Sequence, residues 1–349
     1  MPIVSADRLT RIGTALLKAA GASDEEARAV ATGCVAANLA GHDSHGVIAI
    51  PTYIDRIKAG HIVPGAPWTI MQETPTSTVI DGNWGFGYVV TDRAMRYTID
   101  KAKNQQVAAA TVYRQSHIGR LASYPLMAAR EGMIAMITAD SGRSAKAVAP
   151  FGGAKARLGT NPICFAIPSN LEGPLFFDMA TSAAAAGKIN VATARGEQVP
   201  AGWLIDADGN PSTDPRVLRQ GGALLPVGGS EGYKGYGLAT IVEILSGLLT
   251  GLGYGVEPTG RHNDGCFIAV FNVAAFRDLN TFKQEVTEFA QYLKATPPAK
   301  GFTEVLYPGE IEFHREQDRR KNGIPVEDAT WKRLQDLAQS YGLAARLGL

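Results

Sequence analysis

Two histidines in similar polar, glycine-bounded settings are the side chains of this chain best suited to proton chemistry. His45 lies in "GHDSHG" (41–46) and His117 in "QSHIG" (115–119). Imidazole is the side chain whose ordinary pKa sits near neutrality, so both are candidates for general acid or base. His42 stands three residues before His45, a spacing that on a helix places two rings on one face, as half of a metal site requires. Gly41 and Gly46 argue against continuous helix through both, and His61, His117, His262 and His314 are isolated in sequence. No metal is therefore expected.

Phosphate-binding and nucleophile motifs are absent in their usual forms. "STVIDGNWGFGYVVTDRAM" supplies a strand, Gly82, Gly85 and Gly87, then a helix, but Val90 stands where a dinucleotide fingerprint needs its third glycine. The next β-like run, "VAAATVYRQSH", ends without the ribose-binding carboxylate. A turn with close backbone approach is the better reading. "GGSEGYKGYG" (228–237) has the wrong spacing for a Walker loop, yet its backbone N–H groups and Lys234 can hold a phosphate before a helix. No G-x-S-x-G elbow occurs.

Those residues need a scaffold. The chain has 349 residues, 45% hydrophobic and 19% charged, enough for a large core and two domains. A formal net charge of +1 gives no support to nucleic-acid or anionic-membrane binding. Cys34, Cys164 and Cys266 are dispersed and odd in number, which fits buried thiols in a reducing cytoplasm. The N-terminus lacks a basic region followed by an apolar run, so no signal peptide is expected. The apolar stretch 237–256 contains Glu243 and five glycines, and a buried helix is expected there instead of a membrane span.

Residues 1–67 read as helical. "SDEEARAVATGCVAANLAG" opens with a Ser23/Glu26 capping box, and "VIAIPTYIDRIKAG" reads as helix with Pro51 in its first turn. "GHDSHG" is then a junction, and Asp43 or Ser44 is a candidate cap for the following helix. Residues 68–271 alternate β-like runs such as "TSTVID", "MIAMITA", "PICFAIP" and "CFIAVFNV" with helical stretches, as an α/β domain does. Residues 272–349 return to helix. The expected plan is an α/β domain inserted between N- and C-terminal helical segments.

Seven blocks taken in order carry a resemblance: "AANLAGHDSHGVIAIPTYI", "SHIGRLASY", "LGTNPICFAIP", "FDMATSAAAAGK", "GWLIDADGNPSTDP", "EGYKGYGLA" and "YPGE". Together, over roughly residues 10–340, they resemble the malate/L-lactate dehydrogenase family, which is unrelated to the Rossmann dehydrogenases. Its members include ureidoglycolate, sulfolactate and hydroxycarboxylate dehydrogenases and piperideine-carboxylate reductase. The resemblance implies a mixed-sheet, non-Rossmann nicotinamide-binding domain. It also implies hydride transfer between NAD(P)H and a 2-oxo or 2-hydroxy acid, and a homodimer with the active site near the interface.

Carried over by motif, the resemblance implies His45 and His117 as catalytic candidates that also neighbour the cofactor. It implies Ile118, Gly119, Asp178, Met179, Ala180, Thr181, Ser182, Lys234, Gly309 and Glu310 as further cofactor contacts, with NAD favoured and NADP open. Ser44, Tyr53, Thr160 and Asn161 are implied on the substrate side. One departure matters: many members read S-H-G-V-x-R, and here the arginine position is Ala49. Arg120, or failing it Arg143, is the expected carboxylate clamp. A reductase of cyclic or N-alkyl imino acids is the alternative within the enzyme class. A non-catalytic nucleotide-binding protein and a metal-dependent hydrolase are more distant.

Overall fold

The computed structural model describes residues 1–140, 145–256, 261 and 263–349. Arg143 and His262 lie outside the described residues.

Seven strands form the main sheet: β1 (Thr69–Glu73), β2 (Ser77–Gly85), β3 (Val107–Gln115), β4 (Met133–Ala139), β5 (Ile163–Ile167), β6 (Leu175–Met179) and β7 (Asp264–Asn272). Their spatial order is β1-β2-β3-β7-β4-β5-β6. Only β2 and β3 run parallel, joined through the helix Gly87–Gln105; every other neighbouring pair is antiparallel. The sheet is thus mixed, and a doubly wound dinucleotide fold is excluded by topology as well as by motif. β7, the last of the seven in sequence, fills the middle, and its "DGCFIAVFN" is buried on both faces along most of its length. That burial explains a nearly continuous apolar run without alternation.

Gly87 opens the crossover helix because a Cβ there would overlap the backbone carbonyls of Ser116 and His117. This is the close backbone approach expected of the glycine run, and it presses the helix N-terminus onto the turn that carries His117.

The helical segments behave as their periodicity predicts. Helices span Ala6–Ala19, Asp24–Leu39 and Ile50–Lys58 at the N-terminal end, and Leu279–Lys294, Glu310–Asn322 and Asp328–Ser340 at the C-terminal end. Ser23 and Glu26 form the capping box, and Pro51 sits in the first turn of its helix. One apolar core joins Leu9, Ile12, Leu16, Val30 and Ile54 to Ile324, Leu334 and Ala338, and it also receives Phe86, Tyr88 and Val89. A separate core lies between the sheet and the helices Gly87–Gln105 and Pro125–Arg130. The two ends of the chain meet in a two-residue antiparallel pairing of Ile3–Val4 with Ile324–Pro325.

Two expectations need correction. Neither Asp43 nor Ser44 caps the helix Ile50–Lys58, whose N-cap position is Ala49 with no side-chain bond. Asp43 is drawn instead to Asn38 and Arg319. The stretch expected to be a buried helix forms the α-helix Tyr233–Glu243, continued by a π-helical turn over Ile244–Leu248. It buries Val242 but leaves Ile241, Ile244, Leu248 and Leu249 exposed. These four follow helical spacing and make one apolar stripe. Among the described residues no helix is long and apolar enough to cross a membrane.

Candidate active site

His117 lies two residues beyond β3, on a turn tied down from three sides. The Ile118 N–H donates to Asp264 Oδ2 at 3.1 Å, and Tyr124 Oη donates to the Ile118 carbonyl at 2.5 Å. Two residues past Arg120, the Ala122 N–H donates to Asp178 Oδ2 at 2.9 Å. Gly119 takes φ +74°, and a Cβ on it would overlap the Tyr88 phenol. The His117 ring is further held by Tyr53, whose Oη lies 2.7 Å from Nδ1.

His45 comes from the opposite side, on a short 3₁₀ turn (Asp43–His45). The turn is locked by Asn38: its amide donates to Asp43 Oδ1 at 2.7 Å, and its carbonyl oxygen accepts from the Val47 N–H at 2.8 Å. Gly46 is required here because a Cβ would overlap the Asn38 amide. Arg319, from the helix Glu310–Asn322, adds a two-pronged bond to Asp43 (2.7 and 3.1 Å) and a bond to the Asn38 carbonyl. Ser44 Oγ lies 3.0 Å from His45 Nδ1. The two imidazoles then stack, centroids 5.6 Å apart and planes at 24°. His117, isolated in sequence, is thus adjacent to His45 in space.

A ring of ionisable groups surrounds the pair. Arg120 sits over the Phe176 ring, 5.0 Å from its centroid, and its Nε is buried without a hydrogen-bond partner. His42 Nε2 lies 3.3 Å from Glu312 Oε1. Burial pushes the His45 pKa down to about 4, helped by the positive neighbours His42 and Arg120 and opposed by Asp264. Burial raises Asp178, while the Ala122 N–H and the charges of Arg120 and His42 pull it back. His42 holds Glu312 below its ordinary value. Among the described residues no group of three or more His, Cys, Asp or Glu is placed to hold a metal.

Residues singled out by motif fall into two sets. His45, Ser44, Tyr53, His117, Ile118, Gly119, Arg120 and Asp178 converge on this cluster. Gly187, in the helix that follows the "DMATS" block, packs on Ser44, and a Cβ on it would stand 3.0 Å from Ser44 Cβ. Met179 ends β6, and Ala180 follows it. Thr181 donates to the carbonyls of Thr160 and Asn161 (3.1 and 3.0 Å), joining two motif loops, and Ser182 donates to the Ala184 carbonyl. Gly309, at φ +97°, lies against Phe176 and the Pro174 carbonyl.

Three members of the motif set point elsewhere. Asn161 is fully buried, and its amide donates to Glu243 Oε2 (2.8 Å) and the Ala239 carbonyl (3.0 Å). Lys234 is exposed and paired with Glu231 at 3.2 Å. Both Glu310 oxygens are taken, by Lys294 and by the Tyr307 N–H. Motif reading missed Asn38, Tyr88, Asp264, Glu312 and Arg319. Asp264 does carry a local signal, since it lies with His262 in the glycine-bounded polar run "GRHNDG" (260–265); Asn38, Tyr88, Glu312 and Arg319 stand in no such run.

The buried, unpartnered Arg120 Nε and Ser116 Oγ are what a polar ligand leaves when it is absent from a site built to receive it. The turn is thus suited to a ligand with anionic and hydrogen-bonding groups, as a nicotinamide dinucleotide or a carboxylic acid has.

Comparison with known proteins agrees. The family model described as malate/L-lactate dehydrogenase matches residues 4–335. Malate dehydrogenase of Pyrococcus horikoshii is 35% identical over 97% of this chain and 96% of its own length. Hydroxycarboxylate dehydrogenase B of Escherichia coli is 35% identical over 94% of this chain and 91% of its own. Among solved structures, malate dehydrogenase from Entamoeba histolytica superposes with TM-score 0.93 at 35% identity, covering 98% of both chains. The delta1-piperideine-2-carboxylate reductase of Pseudomonas syringae superposes at 0.84 and 29% identity, covering 97% of this chain and 100% of that one. On these grounds the chain belongs to the malate/L-lactate dehydrogenase family of oxidoreductases.

Proposed function

We propose that the stacked histidine pair and Arg120 form the active site of an NAD-dependent 2-hydroxyacid dehydrogenase, with His117 as the proton-transferring group. The carrying observation is the contrast between the two imidazoles. His45 is held neutral at pH 7 by its pKa of about 4 and is a poor acid or base there. His117 is held in place by the Tyr53 hydroxyl, 2.7 Å from Nδ1.

The nicotinamide, when bound, exchanges hydride with C2 of the acid. The chain's own residues do the rest. Arg120 takes the carboxylate that the arginine missing at Ala49 takes elsewhere in the family; its unpartnered Nε supports this. His117 gives its proton to the carbonyl oxygen as charge grows there, and takes it back in the oxidative direction. Neutral His45, stacked on His117, walls the site from water and hydrogen-bonds Ser44. The turn 117–119, residues 178–182, Thr160 and Gly309 are the proposed cofactor cradle. Lys234 and Glu310 would have to release Glu231 and Lys294 to join it.

We further propose a homodimer that covers the apolar stripe of Ile241, Ile244, Leu248 and Leu249, and a division into an α/β unit (68–271) carried between helical segments 1–67 and 272–349. A cytoplasmic setting is supported by three buried, unpaired cysteines.

The likeness to a piperideine-carboxylate reductase keeps imine reduction as a second reading. Assaying pyruvate-type 2-oxo acids with NADH, with and without methylamine, separates the two. Turnover of the 2-oxo acid alone is expected. Turnover only when the amine is present would establish the imine reading instead.

A further inference from the structure

Glu243 is the one charged residue in the apolar stretch 237–256, and the structure buries it. Its Oε1 lies 3.3 Å from Lys146 Nζ, with the lysine and glutamate side chains at 5% and 9% exposure. Its Oε2 accepts from the Asn161 amide at 2.8 Å, and the same amide donates to the Ala239 carbonyl at 3.0 Å. A carboxylate and a carbonyl are both acceptors, so the nitrogen of the Asn161 amide must face them. Asn161 Oδ1 is left buried without a hydrogen-bond partner, and the Asn161 backbone takes φ +40°. A residue other than glycine keeps such a conformation where its surroundings enforce it. Here Glu243 and Ala239 are those surroundings.

The grip reaches the proposed cofactor cradle through the backbone. The carbonyls of Thr160 and Asn161 both accept from the Thr181 hydroxyl, and the Thr181 N–H donates to the Thr160 carbonyl at 2.9 Å. On its other side this segment is held by residues 225–227. The Val227 N–H donates to the Thr181 carbonyl at 2.9 Å, and the Ala183 N–H donates to the Leu225 carbonyl at 2.8 Å. The helix Tyr233–Glu243 backs that side as well, because a Cβ on Gly235 would overlap the Val227 carbonyl. One helix thus holds residues 181–183 from both sides, through Gly235 near its start and through Ala239 and Glu243 toward its end.

We propose that Glu243 is a positioning residue for the nicotinamide cofactor. With its charge balanced by Lys146, it holds Asn161, and through the carbonyls of Thr160 and Asn161 it sets Thr181 and the segment 178–182. Glu243 acts through Asn161 and not by touching the cofactor or the acid. This rests on the reading of Thr160 and residues 178–182 as part of the cofactor cradle.

The test sets hydrogen–deuterium exchange of peptides across 178–183 beside the Kd for NADH, in the full-length protein. In Glu243→Ala, exchange there should speed up while peptides from the helix Ala6–Ala19 stay as protected as in wild type. NADH should bind about tenfold more weakly, a size usual for residues in one hydrogen-bond network. The double variant Lys146→Met/Glu243→Gln keeps an acceptor for Asn161 and leaves no buried charge unpaired, so both readouts should return toward wild type. Should Glu243→Ala fail to fold, Asn161→Gly removes the amide, accepts the backbone angle and leaves the Lys146–Glu243 pair intact. It should show the same two changes. Unchanged exchange, loosening spread evenly over the chain, NADH affinity that holds despite local loosening, or a folded double variant without rescue overturns the proposal. A wild type that binds neither NADH nor NADPH would overturn the functional reading instead, and exchange alone would then decide whether Glu243 holds the segment.

Discussion

The imidazoles of His45 and His117 are stacked, 5.6 Å between centroids, although 72 residues of chain separate them. One arrives on a turn clamped by Asn38 and Arg319, the other on a turn clamped by Asp264, Tyr124 and Asp178. Two similar-looking motifs are thereby held by different sets of partners.

Arg120→Ala should raise KM for a 2-oxo acid by about 10–100-fold, the loss expected of hydrogen bonds to a charged group worth about 1.5–3 kcal/mol. Arg120→Lys should recover only part, because an ammonium cannot make the parallel pair of bonds. Steady-state kinetics of both variants decides it, and an unchanged KM in the alanine variant would rule out Arg120 as the clamp.

The depressed pKa of His45 makes a stability prediction. Above pH 6.5 the imidazole is neutral in both the folded and unfolded chain and contributes nothing to the pH dependence. As pH falls from about 6.5 toward about 4, the unfolded chain takes up a proton that the folded chain resists, so stability is lost. Thermal unfolding followed from pH 7.5 to 4 should fall more steeply for wild type than for His45→Gln. Parallel curves would mean that His45 titrates normally.

Gly46→Ala places a methyl group against the Asn38 amide. Overpacking of this kind costs about 1–3 kcal/mol, and here it also displaces His45. A lowered unfolding temperature with a fall in kcat is expected. Asn38→Ala, which removes the obstacle, should partly relieve the Gly46→Ala defect in the double variant. Simple additivity of the two would show that they do not share this contact.

Tyr53→Phe should lower kcat while leaving KM nearly unchanged, since Tyr53 bears on the proton and Arg120 on the carboxylate. A KM effect equal to that of Arg120→Ala would instead make Tyr53 a substrate ligand.

Much of the scaffold is legible in the sequence because it rests on local rules. The Ser23/Glu26 capping box, Pro51 in a first turn and the glycine that admits the crossover helix all act within a few residues. What is not legible depends on distant partners. β7 reaches the centre of the sheet from residue 264, and Arg319 clamps Asp43 across 276 residues. The histidines are visible from their glycine-bounded settings, but their stacking and the depressed pKa of His45 come from the tertiary structure alone. The apolar stripe on 241–249 is not legible because composition cannot tell a buried helix from one that leaves an apolar face exposed.

The central claim is that His117 passes a proton while hydride moves between a nicotinamide and a 2-hydroxy acid. The most direct measurement is NADH and NADPH oxidation over a panel of 2-oxo acids by wild type, His117→Ala and His45→Ala, with cofactor binding measured alongside. The account predicts turnover by wild type with NADH, a loss of about 10²–10⁴-fold in kcat for His117→Ala with cofactor binding retained, and a smaller loss for His45→Ala. Full activity in His117→Ala, with activity abolished in His45→Ala, would contradict it.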